Sequence, residues 1–408
     1  MIRQAVTFTM TILDRWNLYD NDIGHDSRAS SVTAARAVVP AQGHDLRPDL
    51  FCGIANWFLF LDHIPNNAVS LITIRNFGFS GAADLFIFIS GYTASMLYAR
   101  MMLERGAIVA ATRVFSRAWR LYAAYIVLFT IYIVSIGYAA EQYAAPDIIG
   151  EFNVSGLIDQ LIRTLGHGLL LQSKARNLDV LQLYIFLMAL FPPVLWMMLR
   201  KPDMTMIGSL ALYCAARGFE WNLPSFPDGS WYFNPFCWQL LFVFGAWVAL
   251  GGATRYRQIL ERPILLYLGI AFLIFALVVT LAGHFAELTE VFPKWLFDPS
   301  NPDEKTNLAP YRALHFVVLA FVVMRFLPKD WPALRSRIFE PAIKCGQHSV
   351  AVFCVGVFLS FVGHFALITS SESLLMQVFV SAAGISMMTL VAYCISWTGQ
   401  QDVRPSRT

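Results

Sequence analysis

The chain is short of charge. Only 14% of its 408 residues are Asp, Glu, Lys or Arg, against 57% hydrophobic. That balance excludes a soluble core with a single anchor and fits a polytopic membrane protein. A formal net charge of +3 is too small for a nucleic-acid partner. Cysteine is sparse too. Cys52, Cys214, Cys237, Cys345, Cys354 and Cys394 lie scattered in apolar segments, with no Cys-x-x-Cys pair. They read as small buried hydrophobes, not metal ligands or a disulfide framework. There is no Walker loop, no Gly-x-Ser-x-Gly elbow, no His-Glu-x-x-His and no dinucleotide fingerprint. No internal repeat stands out. No metal and no tightly bound cofactor are expected.

What is present is a series of long apolar runs. Ten candidate spans are read at about 48–66, 80–102, 118–139, 179–199, 204–217, 235–252, 263–284, 309–328, 346–368 and 374–397. The fifth is short, and 154–172 is an ambiguous amphipathic segment. The expected fold is all-α: a transmembrane helical bundle of about ten helices. Residues 1–45 are polar and mixed in charge, and are expected to form a low-order cytoplasmic extension. Residues 46–400 form one membrane domain and 401–408 a cytoplasmic tail. With the N-terminus inside, 22 of the 30 lysines and arginines fall in inner segments. The positive-inside rule then places both termini in the cytoplasm. The stretch 285–308 reads as a loop over the outer mouth.

Ionisable groups inside such spans cost roughly 2.5–3.5 kcal/mol each on insertion scales, so they mark candidate sites. Span 1 carries Asp49, Asn56 and His63 at seven-residue spacing, with Asn66 and Asn67 just beyond. Span 2 carries Asp84, Gly91, Ser95 and Tyr98 on one stripe. Two such stripes could line a polar cavity. His63 can move a proton near neutral pH or simply bond between helices. Asp62 sits about 100° around the helix and reads as a cap at the outer surface. Arg113, Arg117 and Arg120, followed by Tyr122, form one basic helix face at the inner boundary. That face suits either phosphate or anionic lipid headgroups. Asp179 opens span 4. Arg312 and His315 open span 8 on its outer side, where Arg312 could meet a carboxylate.

The runs "DLRPDLFCGIANWFLFLDHIPNN" and "FGFSGAADLFIFISGYTASMLYAR" resemble the OpgC family, within the type 3 membrane acyltransferases. The likeness continues through "SRAWRLYAAY", "NLDVLQLYIFLMALFPP", "FNPFCWQLLFVFGAW", "APYRALHFVVLA" and "GQHSVAVFCVGVFLS", over about residues 46–365. Gly81 stands where the family usually has Asp, Asp84 where it has Glu, and Gln182 where it has Pro.

The resemblance implies an inner-membrane enzyme that moves a succinyl group from succinyl-CoA to periplasmic glucans. It makes His63 the catalytic residue and gives Arg113, Arg117, Arg120 and Tyr122 to the acyl-CoA. Asp84 is then the candidate to fix the imidazole tautomer, and Asn66 or Asn67 to stabilise the oxyanion. Arg312 and Asp179 are candidates for the acyl carboxylate or the substrate. The expected partners are succinyl-CoA as co-substrate, a glucan acceptor and the bilayer. Rival readings are an O-acyltransferase for another exported polysaccharide, and a glycan transporter without chemistry.

Overall fold

The computed structural model describes residues 45–142, 161–173, 175, 177–226, 229–283, 305–370 and 373–402. The described residues contain no strand, only isolated bridges of Ser173 with Phe226 and Pro224 with Ser230. The all-α reading holds. Apart from Asp45, the expected N-terminal extension lies outside the described residues. So do most of the 285–308 loop, part of 154–172, and residues 403–408.

The helices are α1 (Leu46–Asp62), α2 (Ala82–Arg105), α3 (Ala107–Gln142), α4 (Leu161–Leu169), α5 (Asp179–Arg200) and α6 (Pro202–Gly218). They continue with α7 (Pro235–Ala249), α8 (Pro263–Ala282), α9 (Pro310–Phe326), α10 (Glu340–Gln347), α11 (Ser349–Thr369) and α12 (Leu374–Asp402). Single-turn helices at Gly252–Arg255 and Arg257–Leu260 link α7 to α8. Local chemistry explains the boundaries. Asp45 caps α1 by accepting the Arg47 N–H at 3.1 Å. Prolines open α6, α7, α8 and α9, where the missing N–H has no intrahelical partner to lose. Gly106 alone separates α2 from α3, at φ 93° and ψ 162°, a conformation essentially reserved for glycine.

Each of the ten expected spans coincides with a helix, yet the count of ten is approximate. Among the described residues, six helices are long and apolar enough to cross a membrane: α2, α3, α5, α8, α11 and α12. α1, α6 and α9 have 17 residues each and α7 has 15, at or below the minimum for crossing the hydrocarbon. The expected ninth span, 346–368, is divided. The chain breaks at His348 (φ −111°, ψ 34°), which leaves α10 as a separate short helix. The described part of α4 has nine residues.

The helices cluster into two compact units. One holds residues 45–70 and 329–402, and hence α1, α10, α11 and α12. In it α1 and α10 touch backbone to backbone. A Cβ on Gly53 would strike the Ala342 carbonyl, and one on Gly346 would strike the Asp49 carbonyl. The Phe60 ring fills the space above Gly384, within a core that includes Leu61, Val352 and Met388. The other unit holds residues 71–328, and hence α2 to α9. Its centre is a reciprocal contact of α2 and α7: Gly91 lies on the Phe242 backbone and Gly245 on the Phe88 backbone. Phe79, Phe272 and Tyr311 pack edge to face beside it, with the His315 ring against Phe79.

Candidate active site

In the first unit, α1 stops short of the expected residue 66. Pro65 disfavours a helical conformation at Ile64, and Asn66 turns left-handed at φ 55°, which Asn tolerates better than most residues. His63 is therefore the C-cap of α1, not a residue inside it. Its N–H donates to the Leu59 carbonyl at 3.0 Å, and its side chain is half-buried. Positive charge at a helix C-terminus is favoured by about 0.3–1 kcal/mol.

The turn beyond His63 is held by α12. Asn67 is buried, and its Nδ2 donates to Ser381 Oγ at 3.1 Å. Its Oδ1 accepts the Val69 N–H at 3.1 Å, and the Ala68 N–H donates to Gln377 Oε1 at 2.7 Å. Asn66 is exposed. One heptad below His63, Asn56 is 1% exposed and donates to the Ser349 carbonyl at 3.3 Å.

In the second unit, Asp84 and Arg312 meet. Arg312 Nε donates to Asp84 Oδ1 at 3.0 Å and Nη2 donates to Oδ2, with the side chains 7% and 0% exposed. Oδ2 also accepts the Gly81 N–H at 2.7 Å, because Asp84 is the third residue of α2 and Gly81 its N-cap. Asp84 was expected beside an imidazole; both its oxygens are engaged within its own unit. A Cβ on Gly81 would meet Arg312 Nη2 at 3.6 Å, an ordinary contact. One turn along α9, His315 Nδ1 lies 2.8 Å from Ser80 Oγ, and its ring leaves no room for a side chain at Gly78. The Trp238 ring lies under the guanidinium at 5.7 Å.

The basic face lies on α3 in the same unit. Arg117 Nη2 donates to Tyr184 Oη on α5 at 3.3 Å, and Tyr98 of α2 lies beside the same guanidinium. Arg120 Nε donates to the Ser116 carbonyl at 3.3 Å. Tyr122 Oη donates to the Leu169 carbonyl at 2.7 Å, which ties α3 to α4. Arg113 is half-buried two turns of helix from Arg120. Asp179 is the first residue of α5, the end of a helix where negative charge is favoured. Gln182 donates to Tyr125 Oη at 3.1 Å and to the Ser173 carbonyl at 2.9 Å, bonds that a proline could not make.

The geometry brings Asp84 together with Arg312, and Arg117 with Tyr184. His63, Asn66 and Asn67 belong to the other unit. Sequence reasoning missed Ser80 as the partner of His315, and Trp238 beneath Arg312. The small residues Gly78, Ser80 and Gly81 ahead of Asp84 were the available signal. They leave space for side chains from a distant helix.

A profile of the family described as OpgC protein matches residues 44–400. No curated protein and no solved structure matches the chain. The matched span runs from the Asp45 cap almost to the end of α12 and includes every residue placed above. This chain belongs to the OpgC family, and with it to the acyltransferases of the membrane.

Proposed function

We propose that this protein transfers a succinyl group from cytoplasmic succinyl-CoA to hydroxyl groups of periplasmic glucans. The observation that carries the reading is the family match over residues 44–400. Its multi-pass helices suit an enzyme whose donor and acceptor lie on opposite sides of a membrane. We place it in the bacterial inner membrane, with both termini in the cytoplasm.

In this scheme His63 is the general base. Its imidazole takes the proton from a glucan hydroxyl as that oxygen attacks the thioester carbonyl. The tetrahedral intermediate collapses, the C–S bond breaks, and the imidazolium returns the proton to the departing CoA thiolate. General base catalysis of this kind contributes typically 10²- to 10⁴-fold. The position of His63 at the carbonyl end of α1 supports the role, since charge arises on the ring during the step. Asn66 is the better oxyanion donor of the two asparagines, because the amide of Asn67 is already spent on Ser381 and Val69.

Arg113, Arg117 and Arg120 would hold the acidic nucleotide end of CoA through charge-assisted bonds, with Tyr122 beside them. Arg312 would read the acyl carboxylate and so select succinyl over acetyl. Asp84 then acts through Arg312 by fixing the plane of the guanidinium. Asp179 would contact the acceptor. The donor is a co-substrate, and no resident cofactor takes part.

The test is reconstitution. Purified protein is mixed with succinyl-CoA and an unsubstituted glucan, and the product is read by mass spectrometry. Wild type should form the succinyl ester. The His63→Ala variant should not, while melting at the same temperature. A wild type that makes no ester on any polysaccharide would support a carrier. Ester formation by His63→Ala would remove the base.

A further inference from the structure

The connection from α6 to α7, residues 219–234, presents aromatic rings in the open. Glu220 holds φ 54°, a left-handed conformation uncommon for such a residue and kept only where the surroundings enforce it. Here they do. The Phe219 N–H donates to the Ala215 carbonyl at 2.9 Å and the Trp221 N–H to the Ala216 carbonyl at 3.0 Å. The Trp221 carbonyl accepts from Asn234 Nδ2 at 2.6 Å. Asn234 is fully buried, caps α7 and also donates to Asn307 Oδ1 at 2.7 Å.

This pinned turn sets two rings against each other. Phe219 and Trp221 stack with centroids 5.5 Å apart and planes at 23°. Each shields one side of the other, yet Phe219 is 70% and Trp221 49% exposed. Polar residues neighbour them in the chain. Glu220 is exposed, Asn222 is half-buried, and Arg217 Nη1 donates to the Asn307 carbonyl at 2.8 Å. A flat, electron-rich face is the chemistry that recognises the C–H face of a pyranose. The axial C–H bonds of a glucose ring are its positive face and lie on the negative face of an indole. The hydroxyls point outward to the rim.

Aromatic rings at headgroup depth also anchor membrane proteins. An anchor needs depth alone. The turn is the C-cap of α6, closed by the bonds to Ala215 and Ala216, and Asn234 adds a third bond from α7, so the Trp221 backbone is fixed from two helices. The same Asn234 that holds the Trp221 carbonyl caps α7, the helix that carries Trp238. One turn beyond the Asn234 cap, Trp238 Nε1 donates to the Lys305 carbonyl at 2.9 Å, and its ring lies under Arg312.

We propose that the Phe219–Trp221 pair is an acceptor subsite on which a glucose residue of the glucan stacks. This rests on the acceptor proposed above. In the orientation proposed there, the α6–α7 connection faces the periplasm.

The experiment compares wild type, Trp221→Ala, Trp221→Phe and, as a control ring on α8, Tyr267→Ala. Each is titrated with an unsubstituted linear gluco-oligosaccharide by calorimetry, and its glucan KM and kcat for succinyl transfer are measured. Loss of a stacked ring should weaken binding and raise glucan KM roughly tenfold or more. The kcat should stay within about twofold, as expected when a contact is made equally in ground and transition states. Trp221→Phe should recover most of the affinity, and Tyr267→Ala should match wild type. Unchanged affinity and KM in Trp221→Ala, or an equal loss in Tyr267→Ala, would overturn the platform while leaving the transfer reaction standing. Binding that depends on Trp221 in a protein that transfers nothing would keep the platform and overturn the reaction. Neither binding nor transfer by wild type would overturn both.

Discussion

Asp84 and Arg312 stand 228 residues apart in the chain and meet as a two-bond ion pair inside one helical unit. Neither side chain reaches solvent appreciably. Taking both charges out of water is costly, and their mutual attraction offsets that cost only while both remain. The pair therefore fixes which face of α9 meets the start of α2, whatever its net contribution to stability.

Removing one partner should be far worse than removing both. Asp84→Ala or Arg312→Ala should lose about 3–5 kcal/mol, because each strands a buried charge. The double variant Asp84→Leu/Arg312→Met should recover much of that loss. Unfolding of the purified protein in detergent, arranged as a double-mutant cycle, checks this. Strictly additive losses would contradict the pairing.

The two asparagines after His63 should behave differently. Asn66 is exposed and at φ 55°, so Asn66→Gly keeps the turn while deleting the amide. Stability should not fall, and kcat should drop by roughly 10²-fold, the size seen when an oxyanion donor is lost. Asn67→Ala leaves Ser381 and the Val69 N–H without their partner. It should lower stability by about 1–3 kcal/mol. An Asn66→Gly enzyme with full kcat would move the oxyanion donor elsewhere.

Arginine on α3 should report on the donor. Arg117→Lys keeps the charge and loses the planar fork that reaches Tyr184. Its KM for succinyl-CoA should rise several-fold, with the glucan KM unchanged, and Tyr184→Phe should follow in the same direction. Steady-state kinetics in liposomes of varied anionic lipid content separates the alternatives. A donor KM that stays constant while activity tracks anionic lipid would make this face a headgroup contact.

Glycines at helix contacts should tolerate no enlargement. A Cβ at Gly91 would collide with the Phe242 backbone, so Gly91→Ala should destabilise by about 1–3 kcal/mol, the cost of overpacking. Gly208, inside α6, has nothing within reach of an added methyl group. Gly208→Ala should gain about 0.5–1 kcal/mol from helix propensity. Thermal melts of the two variants decide the matter, and equal shifts would refute the α2–α7 contact.

Helix content was legible because a polar backbone in hydrocarbon has few alternatives, and runs such as 263–284 leave no ambiguity. Ends were less so. Apolarity continues past Asp62, and only the Pro65–Asn66 pair explains why α1 stops there. The break at His348 has no proline or glycine at that position to announce it. Arg312 was singled out as a cation able to meet a carboxylate, yet its partner could not be named. Pairing across 228 residues depends on how the helices pack, and periodicity along one helix carries no such information. The family-specific runs around His63 and Asp84 identified the chemistry more directly than any physical pattern did.

The interlocked glycines of α1 and α10 have a mechanical consequence. With Gly53 pressed on the Ala342 carbonyl and Gly346 on that of Asp49, neither helix can slide past the other. A one-turn slip of about 5.4 Å would bring Asp49 or Trp57 in place of Gly53 against the Ala342 carbonyl. His63 follows Gly53 by ten residues, a rise of about 15 Å at the helical pitch. The imidazole is thus held at one elevation relative to α10. For the reaction proposed above, this means that donor and acceptor come to the ring and not the ring to them.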